Sequence, residues 1–143
     1  MKAKTLLRIS IVPILIKLLG HSIGHFGWEK PEDPQMQSVV DTMKGYTGHF
    51  MGASYNMAEY FTGYSLMILC VYILTSYISW VLSTSSDLQS QVIKKIIYAI
   101  AITFLVFSIL EFLYFFPFAG SMSVLAGVLM IFSLTVGKKN ELV

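Results

Sequence analysis

Three ionisable side chains recur at four-residue intervals in the first apolar run of the sequence, namely Lys17, His21 and His25. At 3.6 residues per turn, this spacing places all three on one face of an α-helix, within about 12 Å along its axis. A charged group at the centre of a membrane-spanning helix costs about 2.5 kcal/mol or more, so each one needs a partner or a function. The spacing therefore predicts a polar helix face that looks into the protein.

Two carboxylates lie at the ends of later apolar runs. Glu59 opens the second run and Glu111 comes six residues before Pro117, which ends the third run. If these ends lie on the same side of a membrane as His21 and His25, imidazoles and carboxylates meet at one depth. A histidine and a carboxylate that share a proton suit general acid/base chemistry. We therefore predict His21, His25 and Glu111 as the main catalytic candidates, with Glu59 as a further one.

Residues that flank this end of the chain suit the binding of a small lipophilic molecule, because they combine aromatic walls with polar hydrogen-bonding groups. The predicted ligand-binding residues are Lys17, Trp28, His49, Asn56, Tyr60 and Tyr64. A structural reading is the alternative. In that reading Trp28 anchors the membrane interface, and Glu111 forms a Glu-His or Glu-Lys pair that fixes the helices.

Metal binding is a second functional interpretation. His21 and His25 have the spacing of helical zinc ligands, and Glu111 is the third candidate ligand for Zn or Cu. The spacing is a weak signal, since the glutamate of H-E-x-x-H is replaced by Ser22. A bis-histidine haem site is not expected, because two histidines one turn apart on the same helix cannot bind opposite faces of one iron and the three later spans contain no histidine.

Transport of a proton or an ion is a third interpretation, in which Lys17, His21, His25 and Glu111 form the relay. The inner half of the predicted spans lacks further charges. A four-span chain would therefore need to form a homo-oligomer to build a path across the membrane.

The composition is that of a membrane protein. Of 143 residues, 55% are hydrophobic and only 13% are charged, and the mean hydropathy is +0.69. A helix needs about 20 apolar residues to cross a bilayer, and four runs of this length are present, at residues 5–26, 58–83, 92–116 and 118–136. The first run lacks an A-x-A-like cleavage site, so we expect a retained helix rather than a signal peptide.

The charges between the runs predict an orientation. Basic residues precede the first run, begin the third and follow the fourth: Lys2, Lys4, Arg8, Lys94, Lys95, Lys138 and Lys139. The positive-inside rule places them in the cytoplasm of a bacterial inner membrane, with both termini inside. The loop of about 30 residues after Trp28 is then extracytoplasmic. Residues 37–43 predict a short surface helix in it, and Gly45, Gly48 and Gly52 are expected to break the chain afterwards.

Short connections force neighbouring helices to be antiparallel, so the predicted fold class is all-α, an integral membrane up-down four-helix bundle in a single domain. Gly120, Ser123 and Gly127 predict a helix-packing face, because small residues mark contacts in lipid. The net charge is only +2 and the one cysteine is Cys70. The expected partners are the lipid bilayer and a lipophilic ligand, and neither nucleic-acid binding nor dithiol chemistry is expected.

The stretch GHSIGHFGWEKPEDPQMQSVVDTM, followed by HFMGASYNMAEYFTGY, resembles the GHxxGHFGW signature of a family of small four-span bacterial membrane proteins. The resemblance covers residues 18–64, and it implies a fold and no activity. The chain is also similar in outline to DoxX-type proteins and to the sterol-isomerase and sigma-2 receptor superfamily, which use His and Glu in a membrane pocket. That second similarity is an analogy of architecture and transfers no site residue.

Overall fold

The protein is mostly helical, as predicted. The computed structural model describes residues 3–138, so Lys2 and Lys139, two charges of the orientation prediction, lie outside the described residues. The elements in chain order are α1 (Ala3–Ile9), α2 (Ile11–Gly27), α3 (Pro34–Gly45), β1 (Thr47–Phe50), β2 (Ala53–Asn56), α4 (Met57–Thr84), α5 (Gln91–Tyr114) and α6 (Pro117–Lys138).

Among residues 3–138, four helical stretches are long and apolar enough to cross a membrane, in agreement with the four predicted spans. They are Ala3–Gly27, Met57–Thr84, Gln91–Tyr114 and Pro117–Val136. Only 22–39% of their most apolar windows is buried within the protein. Large side chains such as Leu113, Tyr77 and Ile109 are exposed on their surfaces. An apolar surface of this kind suits hydrocarbon as its solvent, and we describe the protein as a multi-pass membrane protein.

The first span is interrupted at Ser10, between α1 and α2. Pro13 explains the break, because proline has no N–H to donate to the Ile9 carbonyl and its ring crowds that group. The Ser10 amide still donates to Leu6 O (3.0 Å) and the Ser10 hydroxyl donates to Leu7 O (2.7 Å). The carbonyls of Leu6 and Leu7 therefore keep hydrogen-bond donors inside an apolar span, despite the interruption of the helix.

Contacts divide the chain into two compact units, whereas the sequence predicts one domain. Unit one contains the residues up to Leu18 and those from Tyr72 onwards, and unit two is Leu19–Val71. In unit one, α6 packs against both α5 and α1. Its most deeply buried large side chains are Leu7, Ile14, Ile97, Phe104 and Met130.

The approach of α6 to α5 depends on two glycines. A Cβ at Gly127 would lie 2.9 Å from the Ala101 carbonyl oxygen, and a Cβ at Gly120 would lie 2.9 Å from the Phe112 ring. Ser123, between them, is fully buried. The small-residue face predicted on this helix is therefore a packing face, because a larger residue at Gly127 would push the two backbones apart and one at Gly120 would displace the Phe112 ring.

Unit two contains the loop between the first two spans, and it differs from the prediction. The short helix is present but longer, as α3, and its N-cap Asp33 accepts a hydrogen bond from the Gln35 amide (3.1 Å). The glycine-rich stretch after it is an antiparallel hairpin of β1 and β2. Met51 and Gly52 both have positive φ, 50° and 83°, as a tight two-residue hairpin turn requires. The expectation of a mere chain break was wrong.

Candidate functional site

The two neighbouring histidines of α2 meet a serine of α4 within unit two. Ser65 Oγ lies 2.9 Å from His21 Nε2 and 2.8 Å from His25 Nδ1. The Ser65 carbonyl oxygen lies 3.1 Å from His21 Nε2. Ser65 is buried and both imidazoles are half-buried. We call these three residues the histidine cluster, and its serine hydroxyl connects the two predicted catalytic histidines.

A pocket of about 260 Å³, open on one side and called the cavity below, lies at the end of α2 in unit two. The residues that line it are His25, Phe26, Trp28, Glu29, Lys30 and Thr62. Its walls combine two aromatic rings with an imidazole, a hydroxyl and one charge of each sign. His25 therefore belongs both to the cavity wall and to the histidine cluster. Trp28, a predicted ligand-binding residue, also lies in this wall.

Two residues just after the end of α2, Trp28 and Glu29, make contacts that hold the cavity wall in place. The Trp28 amide donates to Gly24 O (3.0 Å), and the Trp28 ring packs edge-on against Phe61 at 4.7 Å between centroids. Glu29 pairs with Lys44 of α3 at 2.8 Å. The hydrogen bond from Lys44, and then its positive charge, lower the pKa of the Glu29 carboxyl below its ordinary value. The end of α2 is thereby attached to α3 and α4.

Glu111 belongs to unit one, where it forms what we call the buried charge cluster with Lys17 and Ser123. The Lys17 ammonium donates to Glu111 Oε1 at 2.5 Å and also to Ser123 Oγ. Ser123 Oγ donates in turn to Glu111 Oε2 at 2.6 Å. The Lys17 and Glu111 side chains are only 3% and 11% exposed. Each group thus finds a partner of the required type, which offsets the desolvation of both charges.

Aromatic rings cover the buried ammonium group. Lys17 Nζ lies 4.9 Å from the centroid of the Tyr72 ring, 5.5 Å from that of Phe104 and 5.9 Å from that of Phe107. The negative face of an aromatic ring attracts a cation, most strongly where water is excluded. The rings therefore add to the stabilisation that Glu111 gives Lys17.

This geometry selects among the partners expected for Glu111. From the sequence, His21, His25 and Lys17 are the possible partners of the Glu111 carboxylate. The carboxylate contacts Lys17 and Ser123, so its charged partner is Lys17. The structure brings Lys17 and Glu111 together in unit one and brings the two histidines together in unit two. Glu111 is thus held in an ion pair, the arrangement that the structural reading describes.

Asn56, predicted as a ligand-binding residue, and Glu59, predicted as a catalytic one, form a capping box at the start of α4. The Glu59 amide donates to Asn56 Oδ1 (2.8 Å), and the Asn56 amide donates to Glu59 Oε2 (2.9 Å). This reciprocal arrangement satisfies two amides that a helix start leaves without intrahelical partners. The geometry gives both side chains a helix-capping role.

The remaining predicted ligand-binding residues lie on exposed parts of unit two. His49 is in β1, and its Nδ1 lies 2.7 Å from the hydroxyl of Ser54, its cross-strand neighbour. The exposed rings of Tyr60 and Tyr64 lie 5.8 Å apart along α4, and Tyr55 packs edge-on against Tyr60 at 5.6 Å. These three tyrosines form a continuous aromatic row, and none of them is among the residues that line the cavity.

The metal interpretation gains no support from the part of the chain that the structure describes. Among residues 3–138 there is no group of three or more His, Cys, Asp or Glu side chains arranged to hold a metal ion. His21 and His25 direct ring nitrogens at Ser65, and Glu111 accepts hydrogen bonds from Lys17 and Ser123.

Two serines that organise these clusters were missed as site residues. Ser65 is not among the residues predicted from the sequence, and Ser123 is predicted there only as a packing residue. One signal was available for Ser123, since a serine on a helix-packing face opposite predicted charges can offer a hydrogen bond where glycine cannot. For Ser65 no signal separates it from the other hydroxyls of α4.

Comparisons with known proteins leave the chain without an assigned relative. No protein-family model, no curated protein and no solved structure matches it. The resemblance of residues 18–64 to four-span bacterial membrane proteins therefore stays a prediction.

Proposed function

We propose that this protein binds a small lipophilic molecule in the cavity at the end of α2, with His25 as the group that exchanges protons or hydrogen bonds with it. The observation that supports this most directly is the double role of His25. Its ring lines the cavity, while its Nδ1 is held 2.8 Å from the buried Ser65 hydroxyl. A side chain that faces a ligand site and is oriented from behind is what acid/base chemistry needs.

The residues that line the cavity indicate what kind of ligand it suits. Phe26 and Trp28 offer apolar surface, whereas Thr62, Glu29 and Lys30 offer polar groups. Its volume of about 260 Å³ is slightly below the usual range for ligand pockets, about 300–1,000 Å³. The expected ligand therefore has a short apolar body and one polar group, and it reaches the site from the membrane.

In this proposal Glu111 does not line the ligand pocket, although the sequence predicts it there together with the histidines. Its carboxylate accepts hydrogen bonds from Lys17 and Ser123 within an ion pair that is almost fully buried. We assign it to the stability of unit one, and we assign the acid/base role to the histidine cluster.

The topology and location form part of the same proposal: an up-down four-helix bundle in a bacterial inner membrane, with both termini cytoplasmic and the cavity extracytoplasmic. Contacts in unit one support it. Along α6, Gly120 faces Phe112 and Gly127 faces Ala101, so α5 and α6 run antiparallel. Lys94 and Lys95 at the start of α5 supply the positive charge expected on the cytoplasmic side.

Tryptophan fluorescence tests the binding proposal. The chain has two tryptophans, so a Trp80→Phe background leaves Trp28, in the cavity wall, as the only reporter. The probes are a six-carbon methyl ketone with bromine at the far end of its chain and the corresponding brominated primary amine. Bromine quenches a nearby indole, so occupation of the cavity gives quenching of Trp28 that saturates with probe concentration in lipid nanodiscs.

The matched variants are His25→Ala and His49→Ala, because both remove a histidine but only His25 lines the cavity. We expect His25→Ala to weaken binding of at least one probe about tenfold, the effect of one ordinary hydrogen bond. His49→Ala should bind as the background protein does. Quenching that never saturates with either probe, or equal behaviour of the two variants, would show that the cavity is not a binding site.

A further inference from the structure

The contacts of Ser65 restrict where the protons of the histidine cluster lie. A backbone carbonyl only accepts hydrogen bonds, and a serine hydroxyl has a single proton to donate. His21 Nε2 lies within hydrogen-bonding distance of both Ser65 oxygens, 3.1 Å from the carbonyl and 2.9 Å from the hydroxyl. A proton on His21 Nε2 satisfies both contacts, because the N–H points at two acceptors.

The hydroxyl proton of Ser65 is then directed to the other histidine. Ser65 Oγ accepts from His21, so its own proton is donated to His25 Nδ1 at 2.8 Å. A nitrogen that accepts a hydrogen bond carries no proton, and neutral imidazole has one proton in all. The proton of His25 therefore lies on Nε2.

The reverse arrangement is disfavoured by the same distances. A proton on His25 Nδ1 would be donated to Ser65 Oγ, and the Ser65 hydroxyl would then donate to His21 Nε2. That nitrogen would carry a lone pair 3.1 Å from the Ser65 carbonyl oxygen. Two acceptors would face each other beside a buried serine, 5% exposed, where the repulsion is poorly screened.

We propose that Ser65 is a positioning residue that holds neutral His25 in the tautomer with its proton on Nε2, so that the ligand of the cavity carries a hydrogen-bond acceptor such as a ketone or ester carbonyl. The inference rests on the proposed function for its ligand, but the tautomer is a property of the ligand-free protein. Nδ1 is engaged by Ser65, which leaves the Nε2–H donor for the cavity that His25 lines.

The tautomer is tested first, without any ligand. The three histidines are labelled with nitrogen-15, and the His25 ring is assigned from the spectrum of His25→Gln. At alkaline pH, where imidazole is neutral, protonated and unprotonated ring nitrogens give distinct signals. We expect a protonated Nε2 and an unprotonated Nδ1 for His25. A protonated Nδ1, or an equal mixture of tautomers, overturns the inference while leaving the binding proposal standing.

Two serine variants then test whether Ser65 is the cause. Ser65→Thr keeps the hydroxyl and should keep the tautomer, whereas Ser65→Ala removes it and should give a mixture. Ser121→Ala is the matched control, because Ser121 is exposed and its hydroxyl bonds only within α6, to Pro117 O at 2.9 Å. If Ser65→Ala keeps the Nε2–H tautomer, Ser65 is not the positioning residue. Should Ser65→Ala fail to fold, the wild-type and Ser65→Thr spectra still decide.

The ligand class is tested with the two brominated probes. The ketone only accepts hydrogen bonds and the protonated amine only donates them, so the Nε2–H tautomer should favour the ketone by about tenfold in quenching of Trp28. Ser65→Ala should lose most of this preference, and Ser121→Ala should keep it. Saturable binding that favours the amine overturns the inference but supports a binding cavity. Failure of both probes to saturate instead refutes the binding proposal, and the tautomer measurement then still stands by itself.

Discussion

The buried charge cluster and the histidine cluster have the same arrangement of side chains, but they differ in how exposed they are. In each, one serine hydroxyl touches two ionisable side chains: Ser123 touches Lys17 and Glu111, and Ser65 touches His21 and His25. The buried charge cluster is closed, since Lys17 is 6% exposed and has aromatic rings around its ammonium group. The histidine cluster is half-buried, and its His25 lines a cavity.

The difference indicates which polar group in a membrane span is available for function. A buried cluster whose donors and acceptors are all matched stabilises one arrangement of helices, and it has no group left for a ligand. A cluster that is matched on one side and open on the other holds a reactive side chain in place. Ionisable residues in spans are functional candidates by default, but here the contacts separate one structural cluster from one candidate site.

The largest effect should follow from breaking the closed cluster. Glu111→Ala leaves the Lys17 ammonium buried without its carboxylate, which should lower the free energy of unfolding by about 3–5 kcal/mol. Helix content followed by circular dichroism during heating in detergent would measure the loss as a lower Tm. Glu32→Ala, which removes an exposed carboxylate, is the control and should leave Tm nearly unchanged.

A double variant sharpens the same experiment. Lys17→Met combined with Glu111→Met replaces the ion pair by apolar side chains, and such replacements are often neutral or stabilising. It should regain most of the stability that Glu111→Ala loses.

Glu111→Gln should leave quenching of Trp28 by the probes unchanged. Lost probe binding at full stability would instead return Glu111 to the binding site.

Backbone packing gives the second contrast between the units. Gly127→Ala places a Cβ 2.9 Å from the Ala101 carbonyl oxygen in unit one, so α6 must shift, at a cost of about 1–3 kcal/mol. Gly63→Ala in α4 meets nothing within 4 Å and should be neutral or stabilising, since alanine favours a helix by about 0.5–1 kcal/mol over glycine. The Tm values of the two variants should therefore move apart, and a matching loss in both would refute the close α5–α6 contact.

The capping box predicts an intermediate effect in unit two. Asn56→Ala removes the oxygen that accepts from the Glu59 amide, which should cost about 1 kcal/mol, whereas Asn56→Gly should cost only a few tenths. Amide hydrogen exchange in the first turn of α4 measures this locally, and faster exchange in Asn56→Ala is the expected result. Weaker probe binding with unchanged exchange would instead assign Asn56 to the ligand, as the sequence analysis does.

The spans were predictable from the sequence and the clusters were not. Hydropathy averages over a whole helix, so four apolar runs suffice to locate four spans to within a few residues. Lys17, His21 and His25 lie on one face of a helix, about 6 Å apart along its axis, so which of them meets Glu111 depends on how far the helix is shifted along that axis. Lys17 and Glu111 are 94 residues apart in the chain, and no local pattern fixes that shift.

The hairpin was missed for a different reason. Its strands have only four residues each, and its turn is Met51-Gly52 rather than the Asn-Gly or Asp-Gly pair that marks such turns. From the sequence alone, Gly45, Gly48 and Gly52 are therefore interpreted as residues that interrupt regular structure. A non-glycine residue at φ 50° is uncommon, so the sequence gives little reason to expect this turn at Met51.

The smallest expected effect concerns the exposed ion pair of Glu29 and Lys44. Lys44 lowers the pKa of Glu29, so the stability from this pair is present above the ordinary carboxyl pKa and is lost as pH falls through the lowered value. In Lys44→Met, the Glu29 pKa measured by carbon-13 NMR titration should rise toward its ordinary value. Lys30→Met should raise it less, because Lys30 acts on Glu29 only through its charge.

Salt then distinguishes the Glu29–Lys44 pair from the Lys17–Glu111 pair by their burial. At about 1 M ionic strength the screening length is about 3 Å, so an exposed pair is weakened while a buried pair is screened far less. Added salt should therefore raise the Glu29 pKa in the wild type and nearly abolish its difference from Lys44→Met. The loss of Tm in Glu111→Ala should persist in the same salt, because water and ions do not reach Lys17. If salt removed both effects equally, the buried charge cluster would be open to solvent, and the contrast between a closed and an open cluster would fail.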